Sequence, residues 1–500
     1  MELIDNLATG FNVALTLPNL FFALVGAMVG TLIGVLPGIG PIATIAMLLP
    51  LTFHLEPTSG LIMLAGIFYG AQYGGSTTAI LVNLPGETSS VVTCIDGHQM
   101  ARQGRAGAAL AVAALASFFA GCVATALIAT LAPPLARIGQ SFGAPEYFSL
   151  MVLGLIAAVV LAHGSVIKAI AMIILGLLIG LVGTDGNTGG TRFTFGITEL
   201  TDGIDVATLA IGLFGIGEII TNLARPQDER SVMPQTISRL WPTREDFDRS
   251  WPAVLRGTAL GSVLGVLPGG GATLSSFAAY ALEKKTTRNP RSFGHGAVEG
   301  VAAPEAANNA GAQTSFIPML TLGIPGNAVM ALMIGALTIH GIQPGPQIMS
   351  ERPQMFWGMI ASMWIGNLML VIINLPLIGM WVQLLKVPYR FLYLAILLFC
   401  GIGVYTVGNS AAAVLMAAFF GLVGYVFTRL ECEPAPLILG FVLGPLMEEN
   451  LRRAMRISGG DPMIFAQRPI SLGLLIAALL LCAVVALPAI RSKREEAFQE

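Results

Sequence analysis

Apolar runs long enough to cross a bilayer recur along almost the whole of this 500-residue chain, and they constrain its fold more than any motif does. Uninterrupted runs lie at 20–36, 108–131, 147–162, 167–182, 206–223, 356–385, 391–407, 411–427 and 470–490. Others are broken by glycine, proline or polar residues, at 39–51, 61–84, 270–282, 316–339 and 437–446. A transmembrane helix takes about 20 mostly apolar residues, so the pattern predicts about 10–12 crossings plus half-length segments. The runs lack the alternation of a transmembrane β-barrel.

Composition agrees. Hydrophobic residues make up 55% of the chain and charged residues 11%, whereas a soluble domain carries about 25% charge. That excludes a soluble enzyme and a disordered chain. A net charge of −2 with no basic face excludes a nucleic-acid binder. Cys94, Cys122, Cys400, Cys432 and Cys482 are scattered without CxxC spacing, and read as apolar fillers. The five histidines are isolated and read as interface residues, so no resident metal is expected.

Charge gives orientation. The first basic residue is Arg102, so no basic n-region precedes the first run and no cleaved signal peptide is expected. Basic residues gather at Arg225, Arg230, Arg239, Arg244, Arg249 and Arg256, at Arg452, Arg453 and Arg456, and at Arg491, Lys493 and Arg494. The positive-inside rule places these groups in the cytoplasm, with the C-terminus, and the N-terminus outside. Trp241 and Trp251 flank the first group and suit headgroup anchoring; a solvated loop explains its charges equally well.

The chain also repeats itself. Gly30-Thr-Leu-Ile-Gly34-Val-Leu-Pro37-Gly38 recurs as Gly261-Ser-Val-Leu-Gly265-Val-Leu-Pro268-Gly269, identical at six of nine positions. Gly40 and Gly271 match at the same offset. Gly70-Ala-Gln72 recurs as Gly311-Ala-Gln313, Leu84-Pro85-Gly86 as Ile324-Pro325-Gly326, and Ile95-Asp-Gly97 weakly as Ile339-His-Gly341. The expected division is a first transmembrane repeat (1–224), a cytoplasmic basic connection (225–253) and a second repeat (254–447). Residues 448–500 then hold a cytoplasmic loop, a last helix and a short basic tail. Charge puts the segments before the two Pro-Gly motifs on opposite sides, so the repeats are expected to be inverted. The fold class expected is an all-α polytopic membrane protein with re-entrant or broken helices in two inverted repeats. That is the architecture of secondary transporters with a midplane site.

The breaks locate that site. Proline lacks an N–H and glycine tolerates left-handed dihedrals, so each Pro-Gly pair interrupts a helix. Freed backbone groups are too costly against lipid and belong beside a wet, protein-lined cavity. Helix N-termini there offer N–H groups to an anion, and unwound carbonyls hold a cation. The expected substrate-binding set is Ser76, Thr77, Thr78, Asn83 and Gly86 from the first half. Asn308, Asn309, Gln313, Thr314, Ser315, Gly326 and Asn327 complete it from the second. Gly38, Gly40, Gly269, Gly271 and Thr273 are the expected cation-binding positions. Helix–helix adhesion by small polar residues accounts equally well for any one of them alone. Gly269-Gly-Gly271-Ala-Thr273 lacks the lysine of a phosphate loop. Glu87, Asp96, Glu218, Glu299 and Glu305 are intramembrane ionisable candidates. Pro304 suits a helix start, which would make Glu305 a partner of the helix dipole; proton coupling is the sharper reading.

These residues resemble the TctA-type large membrane subunit of tripartite tricarboxylate transporters. The resemblance rests on 34–38 and 265–269, on 70–86, and on 296–326 with its Ala-Pro-Glu-Ala-Ala-Asn-Asn-Ala-Gly-Ala-Gln run. It extends over nearly the whole chain and is weakest after Glu448. It implies a bacterial inner-membrane permease, not an enzyme, working with a small four-helix membrane subunit and a periplasmic solute-binding protein. It implies uptake of tricarboxylates or related carboxylates by symport with Na⁺ or H⁺, without ATP hydrolysis or a bound cofactor. The competing classes are an intramembrane enzyme, for which no H-E-x-x-H is present, and an anion channel.

Overall fold

The computed structural model describes residues 2–36, 40–161, 165–224, 240–267, 269, 271–287, 289–384 and 389–486. Nearly all of these are helical, and among them the only paired strands are two-residue segments at 183–184 and 191–192. Pro37, Gly38, Pro268, Arg225, Arg230, Arg239 and the basic tail lie outside the described residues.

The first half holds α1 (Glu2–Ala14), α2 (Leu17–Val35), α3 (Pro41–Thr52), α4 (Pro57–Val82), α5 (Val91–Met100) and α6 (Ala106–Gln140). A π-type turn at 101–105 joins the last two. Next come α7 (Ala144–Leu161), α8 (Val166–Gly180), α9 (Val206–Ala210) and α10 (Gly217–Leu223), the last pair continuous through a π-type turn. The second half holds α11 (Arg244–Val266), α12 (Gly271–Thr286), α13 (Glu299–Thr314), α14 (Phe316–Leu322), α15 (Ala328–Ile339), α16 (Gln347–Glu351) and α17 (Pro353–Asn374). Six helices follow: α18 (Ile378–Leu384), α19 (Tyr389–Gly408), α20 (Ala411–Arg429), α21 (Ala435–Ile457), α22 (Ile464–Gln467) and α23 (Pro469–Ala486).

Among the described residues, five helical stretches are long and apolar enough to cross a membrane. They are Leu17–Val35, Thr88–Gln140, Val206–Leu223, Pro353–Asn374 and Ala411–Arg429, with shorter apolar helices between them. Their outer faces are greasy. Leu17, Phe21, Leu24, Met28 and Leu32 form an exposed stripe on α2, and Leu415, Phe419, Leu422 and Val426 another on α20. Stripes of this size at helical spacing are matched to lipid, not water. The 11% charged fraction and these faces together make the chain an all-α, multi-pass membrane protein.

Glycine sets how closely the central helices approach. Gly26, Gly30 and Gly34 line one face of α2, and an added Cβ would fall 2.3–2.5 Å from the carbonyl oxygens of Met63, Ile67 and Ala71 on α4. Gly257, Gly261 and Gly265 repeat this ladder on α11 against Ala303, Ala307 and Gly311 of α13, at 2.3–2.4 Å. Backbones in contact leave no room for a methyl group, which is how small residues hold membrane helices together. The outer members Gly26 and Gly257 precede the motif repeat and extend it by one turn.

The halves are also crossed. Helix α6 of the first packs on α13 of the second, and α17 of the second packs on α4 of the first. Helices α5 and α15 reach across in the same way, to α13 and α4. Two details differ from the sequence reading. Helix α11 starts at Arg244, inside the stretch read as the connection, because Thr243 and Asp246 form a reciprocal capping box. Helix α13 starts at Glu299, so Pro304 lies inside it instead of opening it.

Candidate functional site

Four helix breaks are built from matching parts. Asn83 ends α4 in a left-handed conformation (φ 56°), and Gly323 ends α14 likewise (φ 70°). Beyond each, the chain turns through Pro-Gly and starts a new helix under a side-chain cap. Glu87 caps the short turn 88–90 that leads into α5. Asn327 caps α15, its Oδ1 accepting from Met330 N at 2.9 Å. The other two breaks end α2 at Leu36 and α11 at Leu267 in extended backbone.

The breaks converge. Thr88 and Thr273, from opposite halves, share a hydroxyl–hydroxyl hydrogen bond of 2.9 Å. Gly269 N donates to Gly326 O at 2.6 Å. Around them lies a cavity of ≈ 580 Å³. Its wall carries Gly40 and Pro41 at the start of α3, Gly86–Ser89 before α5, Gly271–Thr273 at the start of α12, and Asn327–Val329 at the start of α15. Four helix N-termini, two from each half, thus turn N–H groups and partial positive charge toward one space. Carboxyl groups stand there too. Glu87, Glu218 and Glu433 line the same cavity, and Gly40 N lies 3.4 Å from Glu218 Oε2. The site can therefore meet an anion with backbone N–H groups and hold a cation beside it.

The predicted residues divide into two groups. Gly86, Asn327, Gly40, Gly269, Gly271 and Thr273 line the cavity. Gly326 sits behind it, bonded to Gly269, and Gly38 is outside the described residues. The others lie elsewhere. Thr78 is buried and bonds the Val35 carbonyl at 2.9 Å, clamping α4 to α2. Thr77, Thr314 and Ser315 donate to carbonyls of their own helices. Asn83 is exposed at the α4 terminus. Gln72, noted from sequence as the end of the repeated Gly-Ala-Gln motif, does reach the wall, where its Oε1 accepts from Ser89 at 2.7 Å.

A second polar centre lies deeper, between α4, α5, α6 and α13. Glu305 is fully buried. Its carboxyl group takes hydrogen bonds from Ser76 (2.6 Å), Thr93 (a short contact) and Ser117 (3.4 Å). Asn309 Nδ2 donates to Ser117 at 2.7 Å, and Gln313 Oε1 accepts from Thr125 at 3.4 Å one further turn along. Asn308 is fully buried, with its amide beside the Glu87 carboxyl. Glu305 thus reaches three neighbouring helices instead of serving the dipole of its own.

The remaining acids are structural. Asp96 Oδ1 accepts the N–H groups of Gly294, Gly296 and Ala297 at 2.8–2.9 Å, and Oδ2 accepts from Tyr280. Glu299 holds Arg249 through two bonds of 2.8 Å. By its letters, Gly139-Gln-Ser141-Phe-Gly143 fits the nucleophile pattern G-x-S-x-G. That pattern needs a strand-to-helix turn; Ser141 instead closes the end of α6, its hydroxyl bonded to Ile138 O at 2.6 Å.

Comparison with known proteins bears on this arrangement. The family model described as "Tripartite tricarboxylate transporter TctA family" matches residues 20–439. An "Uncharacterized 52.8 kDa protein in TAR-I ttuC' 3'region" of Agrobacterium vitis is 59% identical over all 500 residues, covering 99% of that protein. An "Uncharacterized protein in TAR-II ttuC' 3'region" of the same organism is 58% identical over 240 residues, which is 48% of this chain and 99% of that one. No solved structure matches.

Proposed function

Since the chain belongs to the TctA family of tripartite tricarboxylate transporters, we propose that it is the permease subunit of a secondary active transporter. It would take up tricarboxylates or related carboxylates across a bacterial inner membrane. A periplasmic binding protein would deliver the substrate, a small membrane subunit would complete the permease, and a Na⁺ or H⁺ gradient would drive it. The observation that carries this reading is the ≈ 580 Å³ cavity walled by four helix N-termini, two from each half. A carboxylate is the anion such a wall suits, because each oxygen accepts from backbone N–H groups without a fixed cation to trap it.

In this reading Gly86, Asn327 and the N-termini of α3 and α12 bind the carboxylate. Glu218 and the unwound carbonyls near Gly40, Gly269 and Gly271 hold the cation. The charge pattern supports repeats of inverted topology, with the basic connection and the C-terminus in the cytoplasm; the two halves pack through α6 on α13 and α17 on α4. Alternating access would come from one bundle moving against the other about the cavity.

The test is uptake of labelled citrate and other carboxylates into vesicles holding all three components, under imposed Na⁺ or pH gradients. Uptake should follow a gradient and saturate. Uptake that ignored both gradients and required ATP would reject the mechanism, and single-channel currents would replace it with a channel.

A further inference from the structure

We propose that Glu305 is the site of the coupling proton, taken up and released through a void that holds a single water beside it. This rests on the transport reading and, of its two candidate ions, takes the proton, giving it a place outside the substrate cavity; the carbonyl site beside Glu218 would serve Na⁺ alone.

The first argument is solvation. Glu305 has no exposure, and its partners among the described residues are three hydroxyls and no cation. An isolated carboxylate in such surroundings is costly unless something neutralises it.

The second argument is proton counting. Ser76 Oγ lies 2.9 Å from Gln72 O and 2.6 Å from Glu305 Oε2, yet a hydroxyl has one proton to give. With a proton on Oε2, the carboxyl donates to Ser76 and Ser76 donates to Gln72, and both contacts are satisfied. Ser117 accepts from Asn309 Nδ2, and Thr93 donates to Oε1. The oxygens of Ser76 and Glu305 stand at the separation of two atoms sharing a proton.

The third argument is access. A void of ≈ 10 Å³ is lined by Tyr73, Ser76, Thr77, Ser117, Glu305 and Asn374, among others. That is about the room one water needs. The buried Tyr73 hydroxyl and Asn374 Oδ1 have no hydrogen-bond partner among the described residues, so a water there finds partners on both sides. The proton passes from water to Oε2 and back to water; only O–H bonds form and break.

Among the described residues, one other carboxyl, that of Glu87, feels the charge of Glu305. Facing it are Tyr73 on α4, Cys94 on α5 and Glu87 at the turn before α5. Helix α6 presents Ser117, α17 presents Asn374, and α14 carries no ionisable residue. On α11, Arg249 is held by Glu299 and Arg256 by Glu283 of α12.

The test is infrared difference spectroscopy of the full-length protein in lipid nanodiscs, titrated in pH with and without Na⁺. A carboxylic-acid C=O band should appear on acidification, vanish in Glu305→Gln and move in frequency in Glu305→Asp. The Asp variant reports even if the Gln variant misfolds. A titration that neither substitution alters overturns the proposal, as does a band that Na⁺ removes at fixed pH, which would put the metal ion at Glu305. In vesicles with the partner subunits, Glu305→Gln should keep citrate exchange, being locked in its neutral form. It should lose at least about tenfold of pH-driven accumulation, worth ~1.4 kcal/mol. Undiminished pH-driven accumulation overturns the proposal and leaves the transport reading intact. Wild-type vesicles that move no carboxylate under any gradient defeat the transport reading, while the infrared titration still decides the protonation of Glu305.

Discussion

Helices α4 and α13 hold matching places and carry opposite chemistry. Each lies under a glycine ladder, α4 beneath Gly26, Gly30 and Gly34, and α13 beneath Gly257, Gly261 and Gly265. Each is buried nearly all round. Yet the polar residues of α4 near its C-terminus are neutral, from Gln72 to Thr78, while α13 carries Glu299, Glu305, Asn308, Asn309 and Gln313. The scaffold repeats and the polar content does not. Close packing therefore belongs to both halves, and of these two helices only α13 buries carboxyl groups.

The largest expected effect breaks the shared part. Gly30→Ala and Gly261→Ala each drive a methyl group to 2.5 and 2.3 Å from a backbone oxygen, which no rotamer change relieves. Overpacking of this kind costs about 1–3 kcal/mol or more. Both variants should lower the unfolding temperature in detergent by similar amounts. Gly379→Ala, with nothing within 4 Å of the added carbon, is the control and should not. Unequal losses at Gly30 and Gly261 would show that the ladders are not equivalent.

The next effect sharpens a difference at the breaks. A Cβ on Gly86 would fall 1.9 Å from Gly34 O and 2.6 Å from Gly75 Cα, but one on Gly326 meets nothing nearer than 3.8 Å. Gly86→Ala must move the turn that carries Glu87 and Thr88 into the cavity. It should cost at least about tenfold in carboxylate uptake, ~1.4 kcal/mol. Gly326→Ala should stay near wild type in the same assay. Equal sensitivity would mean that the two turns approach the substrate alike.

Much of this was legible from sequence, and the limits have a physical cause. The spans and breaks could be read because a bilayer demands long apolar runs and Pro-Gly pairs interrupt them. The 206–223 and 411–427 runs appear as helices at Val206–Leu223 and Ala411–Arg429. The run 356–385 divides into α17 and α18. Side-chain direction was not legible on α4 and α13. A helix buried on every side has no polar face, so its periodicity cannot tell Thr78, bonded to α2, from Gln72, at the cavity. Glycine and helix starts carried more signal than side chains did: Gly40, Gly86, Gly271 and Asn327 reach the cavity because each marks a helix N-terminus. Spacing could have revealed two further features, the third rung of each ladder at Gly26 and Gly257, and Thr-x-x-Asp at Thr243–Asp246.

The smallest expected effect lies at the periphery, where packing gives way to charge. The 183–203 connection is tied to the polar end of α21. Arg192 bridges Asp185 (2.5 Å) and Glu448 (3.0 Å), Arg452 bridges the same two acids, and Arg456 bonds Asn187. The Thr188 hydroxyl, the Asn187 N–H and then Arg192 hold the Asp185 carboxyl well below its ordinary range. A carboxyl depressed on folding stabilises the folded form above its unfolded value of about 3.9, and that contribution fades as pH falls toward the folded value. Hydrogen exchange should therefore show the connection protected from neutral pH down to about pH 4 and progressively released in stronger acid. Asp185→Asn should release it at neutral pH without a measurable change in global unfolding. If the connection stayed protected in that variant, its grip on α21 would come from Arg192–Glu448 and Arg456–Asn187 instead. The contrast with the glycine ladders would then be one of position, since neither region would depend on this carboxylate.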